Sequence, residues 1–321
     1  MKIAFMGTPE NSADVMETLH KKGYKILWVL TQPDRPFGRG RKLSPPAVKT
    51  KANELGLPVL QSEKFDRSVF EDIKNLERPD LAIVVAYGSY IPSYFLDYPK
   101  YSCLNIHFSL LPKYRGSAPV ARAIMDGQSK TGVTIMNLKK EMDTGDIISK
   151  RELEISENDT TESLTKRLTK EGSALLLETI PLYVGSKIKP LAQSSTDVEA
   201  SYANKISSNE RYIDWDQPAV RVNNKIRALY PWPCAESKVE GLVLKIVQSS
   251  VKKLIDTEMS EYSNGTVLDI DKKNGIIEVK TSSGSVLLEK VQVSGKKEML
   301  VSEFLNGYKI KKGMRFEQCI K

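Results

Sequence analysis

Short apolar runs alternate with polar stretches long enough for a helix through the first half of the chain, and this alternation restricts the fold more than any other feature. The runs are Lys2–Gly7, 26–31, 57–60, 81–86 and 103–106. Each is short enough for a strand buried on both faces. Helical spacing falls between them, as at Val15, Met16 and Leu19 after the Gly7-Thr8-Pro9 turn. The rhythm predicts an α/β fold, a Rossmann-like, doubly wound, mostly parallel sheet. Ligands in such sheets bind beyond the carboxyl ends of the strands. Residues 133–137 and 147–155 add β character, and Asp159 followed by Glu162 caps a helix carrying Leu164, Leu168, Leu175 and Leu176.

Beyond residue 186 the apolar periodicity is lost until about 208, and Lys, Pro, Ser, Thr and Asp gather, which predicts an extended surface linker. A helix over 220–228 follows, then strands over 242–247, 265–270, 275–280 and 285–291, with turns at Asn274-Gly275 and Ser283-Gly284. These predict a small OB-like antiparallel β-barrel, a fold that often handles nucleic acid without that following from the fold alone. The expected domains are 1–188, a linker at 189–208, and 209–321. A chain of 321 residues suits two such units.

Several function classes are excluded by what the chain lacks. No run of about 18 apolar residues could span a bilayer, and the N-terminus resembles neither a signal nor a transit peptide, so a cytoplasmic protein is expected. Cys103, Cys234 and Cys319 are too scattered for a disulfide framework or a metal knuckle, which fits a reducing compartment. Two histidines, His20 and His107, rule out a multi-histidine zinc site, and no metal is expected. The net charge of +8 favours polyanionic partners, although solvated lysine faces would produce it equally well.

The chemistry concentrates after the fifth apolar run. Asn105 and His107 lie two residues apart at a strand end, so both side chains point to one side. The loop that follows, from Phe108 to Gly116, is too apolar for solvent-facing filler and suits a substrate. A lone histidine at a strand end is more often structural, so a partner is needed. Glu141-Met142-Asp143-Thr144-Gly145-Asp146 offers one, since a carboxylate beside an imidazole fixes its tautomer; spacing leaves Asp143 and Asp146 equal. No GxGxxG follows the first strand, which argues against a nicotinamide oxidoreductase.

Asn105-Ile106-His107, Ser109-Leu110-Leu111-Pro112-Lys113-Tyr114-Arg115-Gly116 and Asp143-Thr144-Gly145-Asp146 together resemble the folate-dependent formyltransferases. Gly7-Thr8-Pro9, Thr31-Gln32-Pro33-Asp34-Arg35-Pro36, Ala86-Tyr87-Gly88, Ile213-Asp214-Trp215 and Tyr230-Pro231-Trp232-Pro233 are similar to the members of that family that act on aminoacylated tRNA. The resemblance implies transfer of a formyl group from 10-formyltetrahydrofolate to the α-amino group of methionine esterified to initiator tRNA. Asn105, His107 and Asp143 fall on the family's catalytic set. Acyl transfer to an amine builds an oxyanion, and the chemistry needs donors aimed at it and a group to manage the amine proton. Asn105 and an imidazolium His107 supported by Asp143 are the expected donors; Asp143, His107 or a water could take the proton. The resemblance places folate against Tyr87, Gly88, Ser109, Leu110, Leu111 and Pro112, though core packing would explain Tyr87 equally well and a turn Gly88. Relatives usually carry an aromatic where this chain has Asn11-Ser12, and a small residue in place of Phe108; both differences are expected to reshape the folate pocket.

Between residues 33 and 49 stand Arg35, Arg39, Arg41, Lys42 and Lys49 against Asp34 alone. This basic loop and the arginine of Gly38-Arg39-Gly40 are expected to reach the tRNA acceptor end. A second cluster holds Lys290, Lys296, Lys297, Lys309, Lys311, Lys312 and Arg315; Lys296, Lys297 and, in the linker, Lys205 are the further candidates for tRNA, with a solvated face as the plain alternative. The expected partners are thus methionyl initiator tRNA and folate, with no membrane, for a protein acting as a monomer. Rival readings are a formyltransferase for an amino sugar or purine precursor, which has little need of the basic loop, and an inert RNA-binding module, which leaves Asn105, His107 and Asp143 without purpose.

Overall fold

The structure is a computed structural model that describes residues 1–37, 42–252 and 261–317. The chain divides into two compact units. Met1–Pro119, Lys130–Glu154 and Thr165–Ala203 form the first; Val120–Ser129, Ile155–Leu164 and the residues from Asn204 onward form the second.

In the first part of the chain β1 (Lys2–Gly7), α1 (Glu10–Lys21) and β2 (Lys25–Thr31) are followed by an antiparallel pair, β3 (Arg35–Phe37) and β4 (Lys42–Ser44). Then come α2 (Ala47–Glu54), β5 (Val59–Gln61), α3 (Arg67–Lys74), β6 (Leu81–Val85), α4 (Ser93–Leu96) and β7 (Ser102–His107). After these follow α5 (Pro119–Met125), β8 (Lys130–Asn137), β9 (Ile147–Glu154) and α6 (Thr161–Val184). The sheet runs β5-β2-β1-β6-β7-β8-β9. It is parallel as far as β7, while β8 and β9 are antiparallel. The expected mostly parallel, doubly wound sheet is therefore what forms.

Local chemistry explains the elements. β6 is Leu-Ala-Ile-Val-Val, buried throughout, as a strand covered on both faces must be. α3 starts where the Asp66 carboxylate accepts the Val69 N–H at 3.2 Å, a cap worth about 1 kcal/mol. Its buried Phe70 and Ile73 point at a core centred on Phe95, whose ring meets Phe65, Phe70 and Trp28 edge-on. The apolar run at 57–60 delivers a strand only from Val59, because the Leu57 N–H is spent closing α2 on the Ala52 carbonyl. Ser12, standing where an aromatic was expected, is fully buried and donates its hydroxyl to the Val85 carbonyl at 2.6 Å.

The second unit holds α7 (Ala219–Leu229), β10 (Ala235–Val239), β11 (Leu242–Lys252), β12 (Val267–Asp271), β13 (Ile276–Lys280), β14 (Ser285–Val293), β15 (Glu298–Leu300), α8 (Val301–Gly307) and β16 (Phe316–Glu317). Its antiparallel sheet runs β12-β13-β14-β11-β10-β16, with β15 beside β14. The two ends meet: the Phe316 N–H donates to the Gly265 carbonyl and the Val267 N–H to the Met314 carbonyl, both at 2.8 Å. This curled antiparallel sheet is the expected barrel-like domain. Trp215 of the Ile213-Asp214-Trp215 motif fills its interior, donating Nε1–H to the Ser237 hydroxyl at 3.0 Å and packing on Phe316. The β10–β11 hairpin, unforeseen from sequence, turns on Glu240 and Gly241, both at positive φ, the geometry of a tight hairpin turn. Among the described residues no helix is long and apolar enough to cross a membrane.

Candidate active site

A cavity of about 540 Å³ opens in the first unit, against the carboxyl ends of β6 and β7. This is where a wound sheet places its ligands, and the size suits a small-molecule site, for which about 300–1,000 Å³ is usual. Val84, Tyr87, Ile91, Leu96, Ile106 and Phe108 give it apolar walls. Among the polar side chains on its wall are Asn105, His107 and Asp143, beside the hydroxyl groups of Tyr87, Ser89, Tyr90 and Ser117 and the amines of Lys139 and Lys140.

β7 delivers the first two. Asn105 and His107 are both on the cavity wall at 9% and 6% exposure. The Asn105 carboxamide has no hydrogen-bond partner among the described residues, which leaves it free for whatever occupies the cavity. His107 is held at both edges. Its Nε2 lies 2.9 Å from the Tyr114 carbonyl, and since a carbonyl only accepts, Nε2 carries a hydrogen. Its Nδ1 lies 3.8 Å from Asp143 Oδ2, too far for a hydrogen bond but close for opposite charges. Of the two carboxylates that spacing left equal, the structure chooses: Asp143 faces His107, while Asp146 is paired with Lys139 at 2.7 Å.

The three loops that meet here, after β6, β7 and β8, adopt backbone conformations unusual for side-chain-bearing residues. Ala86, Tyr114 and Asp143 all have positive φ, at 45°, 59° and 53°. Such outliers collect where surrounding structure over-determines them, and the inference runs from them to function. Gly116 has φ 124°, and a Cβ there would stand 2.6 Å from the Ala203 carbonyl oxygen. Its N–H donates to Asp143 Oδ2 at 2.8 Å. The loop after β6 is fixed from below, where the Thr8 hydroxyl of the Gly7-Thr8-Pro9 turn donates to the Tyr87 carbonyl at 2.7 Å.

The expected folate residues separate into two groups. Tyr87 and Gly88 line the cavity, and burial pushes the Tyr87 phenol up to about 12. Ser109, Leu110, Leu111 and Pro112 are not among its lining residues. They brace the wall from behind: the Thr134 hydroxyl donates to the Ser109 carbonyl at 2.6 Å and accepts the Leu111 N–H at 3.1 Å, and Leu111 packs on Met136 and Ile147. Phe108 does reach the cavity.

The residues expected to hold tRNA are surface groups where described. Arg39 and Arg41 lie outside the described residues. Arg35 and Lys42 are exposed on β3 and β4, Arg35 with its guanidinium 3.1 Å from Gln32 Oε1 and 3.5 Å from Glu63. Lys49 is spent on Asp34 at 2.9 Å, a pair that anchors the base of this excursion. Lys205, Lys296 and Lys297 are exposed on the second unit. Lys290, in the same basic cluster, is neutralised by Glu298 at 2.7 Å.

Two contributors had no local signal in the sequence. Tyr114 acts through its backbone carbonyl, which any residue would supply. Gln193, in the polar stretch after α6, is buried at 5% exposure and hydrogen-bonded to the Asp143 loop fifty residues earlier.

Comparison with known proteins agrees with this architecture from end to end. The family described as "Formyl transferase" matches residues 1–180, and "Formyl transferase, C-terminal domain" matches residues 205–309. A methionyl-tRNA formyltransferase of Bacillus mycoides is 40% identical over 310 residues, 96% of each chain. One from Caldicellulosiruptor saccharolyticus is 41% identical over 316 residues, 98% of this chain and 99% of its own. Among solved structures, an N-formyltransferase from Helicobacter canadensis, in complex with folinic acid and dTDP-3-aminofucose, superposes with a TM-score of 0.66 at 17% identity, covering 90% of this chain and 98% of that one. HypX from Aquifex aeolicus with tetrahydrofolic acid gives a TM-score of 0.65 at 19% identity over 99% of this chain and 51% of that one, and at such identities these likenesses speak for the fold. With both domains matched in order and full-length relatives at about 40% identity, the chain belongs to the formyl transferase family, among the methionyl-tRNA formyltransferases.

Proposed function

We propose that the protein transfers the formyl group of 10-formyltetrahydrofolate to the α-amino group of methionyl initiator tRNA, with Asn105, His107 and Asp143 as the reacting groups, in the cytoplasm. The observation that carries this reading is their convergence on one cavity wall, from a strand end and a loop some forty residues apart in sequence. The cavity also fits the donor. Apolar walls and a buried phenol suit a fused heterocycle and its aryl substituent, and the unpartnered Asn105 carboxamide suits a ligand carbonyl.

When bound, the folate supplies the formyl carbon: the amine nitrogen forms a bond to it as the bond to N10 breaks, the amine gives up one proton and N10 gains one. Acyl transfer to an amine concentrates negative charge on the formyl oxygen in the transition state. Asn105 Nδ2–H is placed to donate to that oxygen. His107 has its Nε2–H committed to Tyr114, so donation to the substrate comes from Nδ1, on the doubly protonated ring. Asp143 compensates that charge from 3.8 Å and, turned to the cavity, is also placed to take the amine proton. Walls of low polarity strengthen each of these interactions. Exposed basic groups at Arg35, Lys42, Lys205, Lys296 and Lys297, with Arg39 and Arg41, would hold the tRNA backbone.

The test is formyl transfer from labelled 10-formyltetrahydrofolate to methionyl initiator tRNA, with free methionine, uncharged tRNA and an amino-sugar nucleotide in parallel. Transfer confined to the charged tRNA, and lost in His107→Ala, is the expected result. Transfer to the amino sugar instead would replace the acceptor and leave the site standing.

A further inference from the structure

Gln193 holds both loops of the site with one side chain. Its Nε2 donates to the carbonyls of Asp143 and Gly145, each at 2.8 Å. Its Oε1 accepts Nε–H and Nη2–H of Arg115 at 3.0 and 2.8 Å. Both hydrogens of the amide nitrogen and both acceptor positions of the oxygen are thus used, in a group only 5% exposed. Arg115 lies between the two residues that touch the reacting pair: Tyr114, whose carbonyl binds His107 Nε2, and Gly116, whose N–H binds Asp143 Oδ2. The loop after β7 is therefore tied to Asp143 at two levels, at the carboxylate by the Gly116 N–H and at the backbone by the Gln193 carboxamide acting through Arg115.

We infer that Gln193 is a positioning residue for formyl transfer, fixing the Asp143 carboxylate opposite His107; the inference rests on the roles proposed above for those two groups. Two facts make an external tie necessary. Asp143 sits at φ 53°, in the left-handed region that costs a residue with a side chain, so the loop gains from an external tie. The 3.8 Å gap to His107 is not closed by a direct hydrogen bond, so its length is set by the Gly116 N–H on the carboxylate and by whatever holds the two backbones. Gln193 holds one of them at two points and the other through Arg115, whose own backbone is pinned by its N–H to the Ser201 carbonyl at 2.8 Å. No other side chain type of this size offers two donors and two acceptor positions in one plane. A glutamate keeps the tie to Arg115 and loses both ties to the Asp143 loop.

The experiment compares the full-length wild type with Gln193→Ala and Gln193→Glu. We expect both variants to lose about 100-fold in kcat, the usual cost of a reacting group displaced by about 1 Å, with KM for folate and for tRNA within about threefold of wild type. Gln193→Glu keeps the tie to Arg115 but sets a carboxylate oxygen against two carbonyl oxygens and should melt below wild type, so kcat is read well below the melting temperature of each variant, which separates lost position from lost fold. A second readout needs no substrate. The chain has two histidines, so a His20→Gln background leaves His107 as the one imidazole seen by nitrogen-15 NMR. Its ring signals should shift or broaden in Gln193→Glu. A Gln193→Glu enzyme with wild-type kcat, or one whose loss is wholly in KM, or unchanged His107 signals, would overturn the inference. A wild type that transfers no formyl group to methionyl-tRNA would instead defeat the functional reading, while the His107 signals still test the tie.

Discussion

Asn105 is a side chain whose proposed role rests on a ligand rather than on the protein around it. The residue is 9% exposed, its carboxamide has no hydrogen-bond partner among the described residues, and it lies on the cavity wall, where a substrate oxygen would meet it. Asn105→Ala should therefore lower kcat by about 100-fold or more while leaving folate binding within a few-fold, checked by steady-state transfer and by fluorescence titration with the folate. Tyr87 is a residue of the opposite kind, buried at 2% exposure, with its phenol pushed up from 10.0 to about 12 by desolvation. Above pH 10 the unfolded chain releases this proton while the folded one keeps it. Stability then falls as pH rises from 10 toward 12. Urea midpoints at pH 9 and pH 11 should drop further for wild type than for Tyr87→Phe. Both side chains could be singled out in the sequence, but the partner of the Tyr87 hydroxyl, the Ser62 carbonyl at 3.4 Å, could not, because a hydrogen bond to a backbone carbonyl leaves no mark on residue identity.

At the scale of elements, the loops after β6, β7 and β8 build the site, and the strands hold them still. The loop after β7 turns back through Gly116, where positive φ and the 2.6 Å approach of an added Cβ to Ala203 both require glycine. Gly116→Ala should cost about 1–3 kcal/mol of stability and also lower activity, since the N–H it displaces holds Asp143. Denaturant unfolding and initial rates on the same preparation check the two effects together. Parallel strands such as β6 were legible because burial on both faces demands continuous apolar runs. β10 was not: its inward positions are Ala235, Ser237 and Val239, small or polar, and its hairpin turn uses a glutamate at positive φ. The β3 and β4 pair was hidden for a related reason, since Arg35-Pro36-Phe37 and Lys42-Leu43-Ser44 are three residues each, too short for an alternation to register.

For the whole molecule, the net charge of +8 is the property that tRNA would sense first. Affinity for methionyl-tRNA should fall steeply with salt, and replacing Lys296 and Lys297 with alanine should flatten the log–log slope by about two if both neutralise phosphates. Filter binding from 50 to 200 mM salt measures both slopes; an unchanged slope in the double variant would return these lysines to a solvated face. The sequence by itself determined the α/β sheet and the antiparallel second domain and singled out Asn105, His107 and Asp143, which meet at one cavity, because burial period and side-chain type are local properties that survive in one dimension. Only the tertiary structure decided that Asp143 and not Asp146 faces His107, that 109–112 stands behind the cavity wall, and that Gln193, in a stretch polar enough to pass for linker, is buried beneath the site. Each of those depends on which distant backbone carbonyl or N–H comes within 3 Å of a side chain, and that is fixed by packing, where chain separation no longer counts.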